Sequence, residues 1–299
     1  MLAIPSRRII ASVIAVVLLV GGSASAQTAP ARTKSFLWKV QGPNGVAYLA
    51  GSVHALSSEV YPLAPAFQRA FDASGTLVEE IDLGDAAQPT SSIMLLGKGV
   101  YQDGRTFDQV VSKETLALVS DRLKDSIPVE MLKPMKPWMV DLMLEMVDLQ
   151  KAGLDPNLGL DKHFYDSAKA AGKPVIGLET AESQIDRLDQ MPVAIQEQML
   201  RSTLKELETE RSSLTTIVAE WKRGDAASLE KSLLAGFKDF RAAYTSLIVE
   251  RNRNWMPQIE GCLARTSSPC FVVVGAAHLV GPDGLLAMLQ RKGYKVEQQ

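Results

Sequence analysis

Of the three histidines in the chain, two stand in the same setting. Gly51-Ser52-Val53-His54 follows Tyr48-Leu49-Ala50, and Gly275-Ala276-Ala277-His278 follows Cys270-Phe271-Val272-Val273-Val274. A short apolar run rich in β-branched residues reads as a buried strand. The glycine after it lets other groups approach the backbone. Each imidazole therefore stands just past a strand end, where open α/β sheets carry their chemistry. Two carboxylates share this setting. Thr76-Leu77-Val78-Glu79-Glu80-Ile81-Asp82 begins apolar and ends in acids, and Val175-Ile176-Gly177-Leu178-Glu179 repeats the pattern. Strand alternation puts Glu80 and Asp82 on one face and Glu79 on the other. Neutral imidazole and carboxylate are good ligands for divalent transition metals, and a catalytic zinc-type site needs about three of them plus a place for water. His54, Glu80, Glu179 and His278 are the candidate ligands. A second reading stays open, in which each histidine caps or bridges backbone locally.

Two further residues bear on this chemistry. His163 follows Asp161 and Lys162 at the start of a helix, where Asp161 suits the N-cap or the first turn. That makes His163 an exposed or supporting imidazole, behind any direct ligands. Arg251 falls on an apolar helical stripe with Phe240, Tyr244, Leu247, Trp255 and Ile259. A buried guanidinium needs carboxylate partners. It could equally reach the site and bind a carboxylate or an oxyanion.

The elements that must place these groups are strands separated by long helical stretches. Phe36–Val40 and Val46–Ala50 form a hairpin around a Gly-containing loop. A large helical insertion runs over about 84–173, and a second helical stretch over about 182–263 with a break near Gly236. Met135, Met139, Met143 and Met146 recur on one side of a helix within the insertion. Such a stripe fills core space, or forms an adaptable apolar groove for a peptide or amphiphile. The spacing predicts a helix from Gly284 to Lys292 and a last strand at Tyr294–Val296.

Residues 1–26 read as a secretory signal peptide. Arg7 and Arg8 precede the apolar run Ile9–Val20, too short to span a bilayer, and Ala24-Ser25-Ala26 fits a cleavage site. The expectation is one domain over 27–299 in the periplasm or secreted, with no stable membrane span after cleavage. The net charge of −2 becomes −4 once the two leader arginines are gone, which gives no reason to expect nucleic acid. Cys262 and Cys270 are the only cysteines. An even pair in an oxidising compartment implies a disulfide, with two buried thiols as the alternative.

The ordered set Phe36-Leu37-Trp38-Lys39-Val40, Gly51-Ser52-Val53-His54, Val78-Glu79-Glu80-Ile81-Asp82, Gly159-Leu160-Asp161, Lys173-Pro174-Val175-Ile176-Gly177-Leu178-Glu179, Glu250-Arg251-Asn252-Arg253-Asn254-Trp255 and Val274-Gly275-Ala276-Ala277-His278 resembles the TraB/GumN family. Bacterial GumN-type members are the most similar. The resemblance implies an α/β fold like the erythromycin-esterase and ChaN-like group, a mostly parallel sheet in two related halves. It implies a divalent metal of unspecified identity, because the related Tiki proteins of animals are metal-dependent, membrane-associated proteases that cleave Wnt proteins. His54 and His278 match the motif histidines, Glu80 and Glu179 the acids after the strands, and Arg251 and Asn252 an Arg-Asn pair with a catalytic role. The animal members' membrane anchor is not expected here, so their substrate is not carried over. The expected function is a metal-dependent hydrolase, a peptidase acting on a periplasmic peptide. The alternatives are a non-catalytic peptide- or amphiphile-binding protein and an accessory to polysaccharide export.

Overall fold

The computed structural model describes residues 34–209 and 212–299, the side chains of 206–213 apart. The signal peptide read at residues 1–26 lies outside them. Six strands form one sheet in the order β4-β3-β5-β2-β1-β6. They are β1 (Leu37–Gln41), β2 (Val46–Ser52), β3 (Thr76–Glu79), β4 (Val175–Gly177), β5 (Cys270–Gly275) and β6 (Lys295–Gln298). β4, β3, β5 and β2 run parallel, while β1 pairs antiparallel with both β2 and β6. The class is mixed α/β with a mostly parallel sheet, as the strand and helix pattern predicts.

β5 is buried along its whole length. A central parallel strand is covered on both faces, which is why its sequence is a continuous apolar run and does not alternate. Phe271 on β5 meets Phe71 and Phe164, whose helices Pro65–Asp72 and Leu160–Ala170 cover one face. Trp255, Ile259, Leu285 and Leu289 belong to the same core. A second cluster, with Val140, Leu144, Leu200 and Leu204, joins the helices Pro137–Lys151 and Val193–Thr209. Among the described residues no helix is long and apolar enough to cross a membrane.

Three local readings are revised. β3 stops at Glu79, because the Asp82 carboxylate accepts the Gly84 N–H and caps a helical turn, Leu83–Ala86. The last strand begins at Lys295 and extends to Gln298, set by its pairing with β1. The methionine stripe is split: Met139 is buried in the core and Met146 is exposed.

Cys262 and Cys270 are bonded, tying the end of the helix Glu250–Ala264 to the start of β5. Closing this eight-residue separation removes unfolded-chain entropy worth about 2.5 kcal/mol. Urea unfolding of oxidised and reduced protein at one pH is expected to differ by about that amount. Identical midpoints would show that the bridge holds nothing the fold does not already hold.

Candidate active site

The four parallel strands end on one edge of the sheet, and each hands its last residues to the same space. Past β2, the chain reaches His54 two residues beyond Ser52. Past β3 comes Glu80 at once. The Leu178 N–H donates to the Glu79 carbonyl at 2.8 Å and the Glu179 N–H to the Glu80 carbonyl at 2.9 Å, so the ladder continues beyond β4 and sets the two glutamates side by side. Past β5 the chain turns into the single helical turn Ala276–Leu279, which carries His278. Gly51 is dictated by packing, since a Cβ there would lie 2.3 Å from the Phe36 ring.

Both histidines are locked through Nδ1. Asn252 Nδ2 donates to the carbonyls of His278 (3.1 Å) and Asp283 (2.9 Å), which leaves its Oδ1 to accept His278 Nδ1–H at 2.8 Å. His278 Nε2 is then an unprotonated acceptor, and it takes Arg251 Nη1–H at 3.0 Å. His54 Nδ1 lies 2.9 Å from Asp161 Oδ1, which also accepts the Ser52 hydroxyl. His54 Nε2 therefore faces the cleft. Asp161 sits in the first turn of its helix, as read from the sequence, with its carboxylate aimed at His54.

Arg251 occupies the middle. Its Nε donates to Glu179 at 2.8 Å and its Nη2 to Glu80, and Nη1 also reaches the Leu247 carbonyl at 3.2 Å. The guanidinium lies over the Trp255 ring, 4.6 Å from its centroid, and Trp255 in turn packs on His278. Just before Arg251, residues Thr245–Val249 form a π turn, with one extra residue inside an otherwise α-helical run. The turn's carbonyls serve the site: Leu247 accepts from Arg251, and Ser246 accepts from Arg187 at 3.1 Å.

The charges follow from this geometry. The Asp161 carboxylate pushes His54 up to about 9, against the opposing effect of burial. The His54 side chain is 64 % exposed, so solvent screens part of that attraction. Burial pushes His278 down to about 3, so it is neutral at pH 7. Burial also works against ionising Glu80, but the Arg251 guanidinium, the His54 imidazolium and the Gly275 N–H, which donates to Oε1 at 2.6 Å, pull the carboxyl below its ordinary value. Glu179 moves the other way, raised by burial despite Arg251.

Glu79 faces away from this site. It is 2 % exposed, and neither carboxylate oxygen has a hydrogen-bond partner among the described residues. Burial, reinforced by Asp161 and Asp82, pushes its pKa up to about 9. A carboxyl raised in the folded state lowers stability as pH climbs from the unfolded value towards the folded one. Glu79→Gln removes that term. The stability of the variant relative to wild type is therefore expected to be greater at pH 8 than at pH 4. Urea unfolding at the two pH values checks this, and an unchanged gap would mean Glu79 is ionised in the fold.

Every residue read as a direct participant is brought to this edge: His54, Glu80, Glu179, Arg251, Asn252, His278 and, behind His54, Asp161. Asn252 orients His278 and lies wholly buried, so it does not touch a substrate. His163 is not brought in, because its ring packs against Tyr61 and Phe164. Gln184, not singled out by the sequence, donates to Glu80 Oε2 at 3.2 Å. A polar residue on a polar helix gives no signal of its own. The cleft beside the site holds about 540 Å³. Leu149, Leu154, Ile217, Val218 and Leu233 line its wall, and none of the four striped methionines does.

A divalent ion fits this donor set in kind. His278 Nε2 carries a lone pair fixed by the bond at Nδ1, and His54 Nε2 offers one once its proton leaves, in the orientation that its Nδ1 bond to Asp161 already sets, which is how metal-binding histidines are held. A Cβ built on Gly275 would lie 3.1 Å from both His54 Nε2 and Glu80 Oε1 and 3.6 Å from the His278 ring, so these groups converge on one small space. The ligands are not drawn tight: among the described residues no three His, Cys, Asp or Glu side chains form a ready metal-holding group. His278 must release Arg251 to ligate.

A family model, the TraB/PrgY/gumN family, matches residues 36–298. The uncharacterized protein YbaP of Shigella flexneri is 26 % identical, over 83 % of this chain and 89 % of its own. Its counterpart in Escherichia coli K12 is also 26 % identical, over 81 % and 87 %. The metalloprotease TIKI2 of Danio rerio is 24 % identical over 88 % of this chain and 60 % of its own. No solved structure matches. The match over nearly all the described residues, together with the paired Gly-x-x-His strand ends, leads to one assignment: the chain belongs to the TraB/PrgY/gumN family.

Proposed function

We propose that the cleft is the active site of a metal-dependent hydrolase that cleaves a peptide. The observation that carries this reading is the convergence of two fixed Nε2 atoms and one buried carboxylate at the ends of parallel strands. The similarity to a metalloprotease supports it at a distance. His54 Nε2, His278 Nε2 and Glu80 Oε1 would hold the ion, the two-histidine, one-glutamate set found in zinc peptidases. Bound there, the ion would polarise the scissile carbonyl and acidify a water.

The remaining groups have distinct tasks. Asp161 and Asn252 fix the two imidazoles. Glu80, with its low pKa, is a weak proton acceptor and suits the ligand role. Glu179 is the more basic carboxylate; it stands behind Arg251 and outside the cleft wall, so it would take up the proton only once Arg251 shifts. Arg251, once it releases His278, turns Nη1–H towards the cleft, where it can stabilise an oxyanion. The apolar wall favours a substrate with a nonpolar side chain beside the cleaved bond.

The same reading treats the strand pairs ending in Gly-x-x-His as counterparts in two related halves, supported by the adjacent, parallel placement of β2 and β5. It also places the protein in the periplasm after removal of residues 1–26, supported by the disulfide. A non-catalytic peptide or amphiphile binder is the second reading, favoured by the same apolar wall.

Metal analysis of protein purified without chelators, followed by a peptide-library cleavage assay, separates the two. The expected result is about one divalent ion per chain. Cleavage should be lost on chelation and regained on adding the ion. Glu179→Gln is expected to keep the metal and lose at least 100-fold in turnover. Full activity after complete metal removal would overturn the mechanism.

A further inference from the structure

A second groove lies outside the catalytic cleft, along the free edge of β4. It holds about 560 Å³ between Val175–Gly177 and the helix Pro89–Gly99. β4 is an end strand, paired only with β3. The parallel register assigns its backbone groups. The Leu77 N–H bonds the Pro174 carbonyl and the Leu178 N–H bonds the Glu79 carbonyl, so Ile176 faces β3 with both its amide groups. The N–H and C=O of Val175 and Gly177 therefore point outward into the groove. None of these four groups has a hydrogen-bond partner among the described residues.

An open edge is a template for another strand. Natural proteins commonly protect such edges with lysine or proline. Here Lys173-Pro174 precedes β4, but the lysine ammonium is bound to the carbonyls of Phe71 and Ser74. It does not guard the edge. The groove walls are acidic. Asp82, Asp85, Glu179 and Glu182 line it, and no Lys, Arg or His does. Arg251 neutralises Glu179, and Lys98 pairs with Glu182 at 3.2 Å. Asp82 and Asp85 have no ion-pair partner among the described residues, which leaves the groove net negative. Met94 supplies an apolar contact on the helix side.

We propose that the β4 edge is a docking strip that binds an extended, basic peptide segment by strand addition. Backbone bonds to Val175 and Gly177 supply affinity, and Asp82 and Asp85 select lysine or arginine side chains. The segment belongs to the substrate cleaved in the neighbouring cleft, so its identity as substrate rests on the hydrolase reading. The docking itself does not. The strip and the cleft meet at Glu179, which closes β4 and contacts Arg251.

The probe is an eight-residue, fluorescently tagged peptide alternating lysine and valine, with a glutamate–valine peptide as control. Binding is read by anisotropy in chelator, so no turnover is needed. The lysine peptide should bind at least tenfold more tightly. In a strand, only alternate residues face the partner. N-methylating one alternate set should therefore abolish binding, and methylating the other should spare it. Val175→Pro removes one outward N–H without touching the β3 ladder, and should weaken binding at least tenfold. Asp85→Lys, on an exposed position, should do the same and gives a folded control. Equal binding of the two peptides, no binding of either, or indifference to the methylation pattern would overturn the proposal. Peptide that docks but is never cut, with any divalent ion, sinks the hydrolase reading alone. Peptide that is cut equally well by wild type and Asp85→Lys sinks the docking strip alone.

Discussion

On the proposed metal-dependent reading, His54→Ala and His278→Ala are each expected to abolish binding of the ion and to cut hydrolysis at least 1,000-fold, with the sheet intact. The expectation comes from the shared space beside Gly275, which His54, Glu80 and His278 all border. Removing one of three protein ligands leaves two, too few for a tight site. The variants should differ in stability. His54 is open to the cleft, so its loss costs little packing, though it takes the charged partner from Asp161. His278 is buried against Trp255, and its loss leaves Asn252 Oδ1 without a donor, at a cost of about 1–3 kcal/mol. Metal stoichiometry of the wild type and the two variants, measured side by side, is decisive. Equal metal in all three would rule out a shared site. Asp161→Asn should fall between, keeping the metal with reduced affinity, since the imidazole loses its charged anchor.

The second large effect belongs to Arg251. Its guanidinium stands between two buried carboxylates, and with His278 neutral neither has another charged ion-pair partner among the described residues. Arg251→Met leaves both uncompensated. Breaking a buried ion pair on one side typically costs 3–5 kcal/mol. The sign with pH is set by the carboxylates. In wild type the Glu80 carboxyl is lowered, so its stabilising contribution is present above the ordinary carboxyl pKa and is lost as pH falls below it. In the variant both carboxyls are raised, and each destabilises as pH climbs above that ordinary value. The loss should therefore be largest near neutrality and shrink towards pH 4. Adding Glu80→Gln and Glu179→Gln to Arg251→Met should recover most of the stability, because the unpaired charges are gone. Arg251→Lys keeps one charge but not the planar fork that reaches Glu80, Glu179 and His278 together. It should be intermediate in stability and poor in activity. Urea unfolding at pH 4 and pH 7 tests the series. A loss under 1 kcal/mol for Arg251→Met at pH 7 would show that the carboxylates are satisfied without it.

The sequence carried the strand ends well, for a physical reason. A buried parallel strand must be continuously apolar, and a histidine or glutamate that breaks such a run stands out. Arg251 was legible too, as a charge on an apolar stripe. Its partners were not. Glu80 and Glu179 lie 171 and 72 residues away, and a pairing at that range is decided by the sheet order, which no local pattern encodes. The structure resolves the two readings of Arg251 in favour of the ion pair as the ground state. Gln184 and Ser52 left no trace for the same reason: each acts through a partner fixed only by the fold. His163 failed in the opposite direction. It shares a helix with Asp161, but two positions along a helix turn the side chain to a different face, towards Tyr61. The methionine stripe was regular in sequence and divided in space, because Met135 precedes the helix Pro137–Lys151 and only one edge of that helix meets the core.

The π turn at Thr245–Val249 bears on how such a chain can change over time. A π turn is an α-helix holding one residue too many. Deleting a single residue there, Ile248 for instance, restores regular α-helical winding. The flanking helical segments then keep their directions, because the extra residue was bulged out and not counted in the winding. What changes is the widened turn itself, whose Ser246 and Leu247 carbonyls now accept from Arg187 and Arg251. One lost codon would thus loosen the hold on the central cation while the sheet and its Gly-x-x-His ends stay as they are. Among relatives of this chain, the length of this one turn would report on that hold, which the histidines do not.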